Sequence, residues 1–100
     1  MENPYYCKVI SSPSSVKKYL RFATYCFITS NFERTKEFEK WCRMIPGELY
    51  VMERYMGYDS EQKKIVKEIQ STMAKLIEES DPKKIALLLT RARLLLSLLN

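Results

Sequence analysis

Apolar residues recur along most of this chain at intervals of three and four, the spacing that places side chains on one face of an α-helix. From Pro13 onward, Val16, Leu20, Ala23 and Phe27 keep that spacing, flanked by Tyr19 and Cys26. Ser11 and Ser12 offer capping hydroxyls ahead of them, and Pro13 suits a first helical position, where the N–H it lacks would have no partner. The same stretch is rich in strand-favouring residues, Phe22, Thr24, Tyr25, Phe27, Ile28 and Thr29, so an extended conformation competes over residues 19–29. A second helix is predicted after Ser30 and Glu33, which stand at capping-box spacing, with Phe38, Trp41, Cys42 and Ile45 on one face. Pro46 and Gly47 are expected to end it. A short third helix then turns Leu49, Met52, Tyr55 and Met56 inward and stops at Gly57.

The fourth pattern is the clearest. Asp59 caps, Gln62 follows three residues later, and Ile65, Val66, Ile69, Met73, Leu76 and Ile77 share one face, while lysines and glutamates occupy the other. Asp81 and Pro82 restart the chain as a last helix. These elements predict an all-α fold, a compact bundle of four to five helices in a single domain spanning residues 1–100. The alternative is an α+β arrangement with an N-terminal β-hairpin, in which the strand-like segment at residues 5–10 pairs with residues 19–29.

The final segment, "KKIALLLTRARLLLSLLN", carries eight leucines in eighteen residues. Its longest apolar runs, residues 85–89 and 94–96, are five and three residues long and are parted by Arg91 and Arg93, far short of the about 20 residues a bilayer span needs. At roughly 100° per residue, Ile85, Leu88, Leu89, Ala92, Leu95, Leu96 and Leu99 form one stripe, enough for an ordinary core-facing side. Leu87, Leu94 and Leu98 fall on nearly the opposite side, so this helix is apolar twice over. Either it runs through the middle of the bundle, which is geometrically demanding for a chain of this size, or the second stripe meets a partner. A second copy is the first expectation, because two-fold dimers are the commonest closed assembly.

Charge adds a second clue. The net charge is +5, and the basic excess sits at the two ends: residues 3–32 hold four basic residues and no acid, as do residues 82–100. Lys17, Lys18, Arg21 and Tyr25 interleave cations with an aromatic ring on the first helix. With Arg91 and Arg93 of the last helix they would form one basic face if the two helices were neighbours, suited to phosphates and to a stacked base. Nucleic acid is therefore the alternative partner, although a basic surface that only keeps the chain in solution has the same composition. No helix-turn-helix, zinc-finger or RNA-recognition signature is present.

Catalytic equipment is absent from the sequence. There is no histidine, which removes the usual general base near neutral pH and most zinc chemistry. Gly47 and Gly57 stand alone, so no phosphate-cradling loop or nucleophile elbow can be built. Glu33, Glu37 and Glu39 are interspersed with Lys36 and Lys40 as a solvated, ion-paired face. Cys7, Cys26 and Cys42, odd in number and without a Cys-x-x-Cys, read as unpaired thiols in a reducing compartment. The amino terminus lacks the basic start and apolar run of a secretory signal, so the expected location is cytoplasmic. No catalytic residue, cofactor or metal is expected. The predicted function is a small interaction or regulatory protein that is not an enzyme, self-associating through Leu87, Leu94 and Leu98.

Overall fold

The computed structural model describes residues 12–99, and all of its regular structure is helical. Helix α1 spans Pro13–Thr29, α2 Lys36–Tyr55, α3 Ser60–Glu78 and α4 Pro82–Ser97. Short connections make sequential helices neighbours, and α4 returns beside α1 to close the ring on its thinnest side. The resulting globule measures 43 × 30 × 20 Å.

Each helix starts on a capping oxygen. Ser12, Thr35, Asp59 and Asp81 accept from backbone N–H groups of the first turns of α1 to α4 respectively, satisfying donors that the helix itself leaves unpaired. At α3 the reciprocal bond is also made, Gln62 Oε1 accepting from the Asp59 N–H at 3.1 Å while Asp59 Oδ1 accepts from the Gln62 N–H at 2.8 Å. The predicted pairing of Ser30 with Glu33 does not start α2. Ser30 instead ends α1, its hydroxyl donating to the carbonyls of Phe27 and Glu33, and Thr35 takes over the N-cap.

Two further expectations are corrected. Residues 19–29 are helical, and no strand occurs among the described residues, so the hairpin alternative is not supported; its other half, residues 5–10, lies outside them. The strand-favouring side chains of α1 mostly occupy its outer sides, where Thr24 and Thr29 donate to the carbonyls of Leu20 and Tyr25, each at 2.8 Å. The core face keeps the helical period, and burial along it outweighs local propensity. Second, α2 runs through Pro46 and Gly47 as one helix. Phe38, Cys42, Ile45, Leu49 and Met52 are all fully buried in a single register spaced four, three, four and three. A proline in a helix interior costs about 3 kcal/mol, whereas burying Leu49 and Met52 gains roughly 1.5–3 kcal/mol each, so continuity of the stripe prevails.

One cluster joins all four helices: Val16, Leu20, Ala23 and Phe27 of α1 meet the α2 stripe, Val66, Ile69, Met73 and Leu76 of α3, and Ile85, Leu89, Ala92 and Leu96 of α4. Trp41 sits at the α1–α2 seam against Tyr19 and Phe22, with ring centroids 5.9 and 4.7 Å away. Cys26 and Cys42 are free thiols, the latter buried, and burial pushes the Cys42 thiol up to about 12. Cys7 lies outside the described residues.

The α1–α2 connection holds two residues in the left-handed region, Asn31 at φ 62° and Phe32 at φ 61°. The Phe32 N–H donates to the Phe27 carbonyl at 2.8 Å and the Asn31 N–H to that of Ile28 at 3.2 Å, the double closure of a Schellman motif. The accompanying apolar contact is present too, the Phe32 ring standing edge-on to Phe27 at 5.6 Å. This turn delivers Arg34 to the carboxyl end of α3. There its guanidinium donates to the carbonyls of Leu76, at 2.8 Å, Glu79, at 3.0 Å, and Ile77, while Nε pairs with Glu39 at 2.9 Å.

Candidate functional site

Helix α4 has an inner and an outer apolar face, and the bundle uses only the inner one. Ile85, Leu89, Ala92, Leu96 and Leu99 are buried, with Leu88 and Leu95 packed half-buried beside them. Leu87, Leu94 and Leu98 are 69, 64 and 64% exposed. The helix therefore lies at the rim of the bundle rather than through its centre. Its outer leucines stand at i, i+7 and i+11, a row two helical turns long and then one more. Arg91 borders the row on the α3 side, where it meets Glu68 at 3.4 Å; Thr90, Arg93 and Ser97 border it on the side of α1.

The second feature is the seam between α1 and α4. The two helices are neighbours, and a shallow groove of about 290 Å³ between them is lined by Lys17, Arg21, Thr24, Tyr25 and Ile28 of α1 and by Arg93 of α4. It continues past Lys17 and Arg93 to Leu96 and Ser97. Of the six residues that the sequence pattern nominated for a basic face, the fold thus gathers four: Lys17, Arg21, Tyr25 and Arg93. Lys18 is exposed one residue further round α1 and does not line the groove. Arg91 turns to the opposite flank of α4, beside Glu68, Ser71, Thr72 and Lys75 of α3.

No carboxylate among the described residues lines the groove. Among the described residues, the ion pairs engage Arg34, Lys67 and Arg91, and the cation–ring contacts engage Arg34, Lys40 and Arg54. Lys17, Arg21 and Arg93 enter neither set. Ile28, 53% exposed, is the groove residue that pattern reading missed; it follows Arg21 by seven positions and Tyr25 by three, the signal that places it on the same side. The acidic stretch of α2 is arranged differently from its expected ion-paired face: Glu39 pairs with Arg34, and Lys40 lies over the Trp41 ring at 5.1 Å.

No group of three or more potential ligands that could hold a metal ion occurs among the described residues, and no helix among them is long and apolar enough to cross a membrane. Comparison with protein-family models, with curated proteins and with solved structures finds no match.

Proposed function

We propose that this chain is a small helical interaction protein that self-associates through the outer face of α4, with Leu87, Leu94 and Leu98 at the centre of the contact, and that it acts by occupying a partner's surface rather than by catalysis. Support comes from three leucines about two-thirds exposed on a helix whose other face already fills the core. Large apolar side chains grouped on one outward row mark a contact surface more often than isolated ones do. A second copy presents the same row, so two α4 helices crossing about a two-fold axis cover each other's leucines.

The magnitudes point to a weak dimer. Covering six leucines from about two-thirds exposure gains roughly 6–12 kcal/mol at ~1.5–3 kcal/mol per fully buried side chain. Association costs about 4–15 kcal/mol in lost freedom, so assembly falls in a range set by protein concentration. Residues 82–100 carry four basic residues and no acid, and pairing two such helices brings like charges together. Salt screens that repulsion and leaves the apolar contact intact, so self-association strengthens from low to moderate ionic strength.

Light scattering after size exclusion, run over a concentration series at both salt levels, tests the proposal. A mass rising toward twice the 11.9 kDa of one chain is expected, more completely at moderate salt. The L87S/L94S/L98S variant should remain monomeric and still unfold cooperatively. A wild-type chain that stays monomeric at every concentration, or a triple variant that assembles like wild type, refutes the proposal.

A further inference from the structure

We propose that the groove between α1 and α4 is a binding site for single-stranded nucleic acid, in which Lys17, Arg21 and Arg93 hold backbone phosphates and Tyr25 stacks a base. Lys17, Arg21 and Tyr25 stand at i, i+4 and i+8, a row inclined across α1 with about 6 Å between successive members along the axis. That repeat is comparable to the spacing of successive phosphates on an extended strand. Arg93 faces the row from α4, so cations line both walls.

Three features separate this groove from a basic surface that is merely solvated. Its cations are not claimed by carboxylates or rings among the described residues. Tyr25 is 68% exposed, and its ring packs against none of the aromatic pairs of the α1–α2 seam. Ile28 adds an exposed apolar patch suited to a sugar or base face rather than to hydrated ions. Base–aromatic stacking tolerates any sequence because every base has a π-face, which agrees with the absence of a base-reading motif. The groove is a concave strip between two helices, whereas duplex DNA is read by an element that protrudes into its major groove; a single strand can lie in the strip with its bases free to stack.

The site uses none of the outer leucines Leu87, Leu94 and Leu98, and its test does not depend on self-association. The full-length protein is titrated into a short fluorescein-labelled oligothymidylate, anisotropy is read at several salt concentrations, and far-UV circular dichroism confirms that each variant is helical. Three phosphate contacts predict a slope of log K against log salt near −2, from about −0.7 per contact on single strands. K17E and R21E should each weaken binding at least tenfold. Y25A should weaken it about tenfold with the salt slope unchanged, since it removes stacking and not charge. K64E, which alters an exposed lysine on α3 by the same charge, should stay within twofold of wild type. The assignment is overturned if Y25A binds as tightly as wild type, if K64E loses as much affinity as R21E, or if the matched duplex binds more tightly than the single strand. Competition by polyglutamate equal to that by unlabelled oligothymidylate would also overturn it, in favour of a general polyanion surface. So would binding to phosphatidylserine vesicles that the oligonucleotide cannot displace, in favour of a lipid surface.

Discussion

Removing the guanidinium of Arg34 should be among the most damaging single substitutions outside the apolar core. The side chain is 16% exposed and closes the carboxyl end of α3, where the last carbonyls of any helix lack intrahelical donors and carry its partial negative charge. Three of its hydrogen bonds go to carbonyls within four consecutive positions, those of Leu76, Ile77 and Glu79, and the guanidinium carbon lies over the Phe38 ring, 5.4 Å from its centroid. Hydrogen bonds to a charged group are worth ~1.5–3 kcal/mol each. They are not additive here, because water can reach the carbonyls once the side chain is gone, so R34A should cost about 3–4 kcal/mol in all. That is a large part of the ~5–15 kcal/mol available to a domain and corresponds to a fall in melting temperature of roughly 12–32 °C at this chain length. The Glu39 pair contributes little to this sum, since its carboxylate is 38% exposed and solvent screens it. Lysine restores one point charge but not the planar fork, so R34K should recover only part of the loss, and E39Q should cost less than about 1 kcal/mol. Urea denaturation followed by far-UV circular dichroism measures all three. If R34A unfolds within about 0.5 kcal/mol of wild type, or R34K matches wild type, the clamp is not a source of stability and the reasoning fails.

Two further outcomes follow from the interior. Pro46 interrupts the hydrogen-bonding of α2 while sitting half-buried in it, so P46A should raise the unfolding free energy by up to about 3 kcal/mol, less whatever the ring contributes by packing, and move the urea midpoint upward with it; a lowered midpoint would show that the ring's contacts matter more than the missing bond. The Cys42 thiol is raised from 9.0 to about 12 by burial, so the folded state holds a proton that the unfolded state gives up first. The stability it contributes is intact below about pH 9, the unfolded value, and is lost as pH climbs toward 12, so the stability gap between wild type and C42A should narrow through that window; a constant gap would contradict it.

Much of the local architecture was legible in the residues themselves. Ser12, Asp59 and Asp81 announced helix starts, because an N-cap is decided by one side chain and the N–H groups two or three residues on. The core faces of α1, α3 and α4 followed from spacing, since apolar residues three and four apart share one side of a helix, and the surplus of Leu87, Leu94 and Leu98 was visible as a second stripe. What spacing left undecided was whether α4 ran through the bundle or along its rim; a periodic pattern fixes which residues share a side, not what lies beyond that side. Pro46 misled for a related reason. A breaker acts locally with a known cost, but whether the helix continues depends on what Leu49 and Met52 gain from α3 and the rest of the core, and only the assembled fold supplies that. Arg34 gave no signal at all, being one cation among many until the Asn31–Phe32 turn aims it at carbonyls more than forty positions away. The basic groove shows the same division. Sequence put Lys18, Arg21 and Tyr25 on one side of a helix with Lys17 beside them; tertiary packing placed Lys17 rather than Lys18 in the groove, brought Arg93 to face it and sent Arg91 to Glu68, because neighbours across a bundle are chosen by how the helices pack and not by order along the chain.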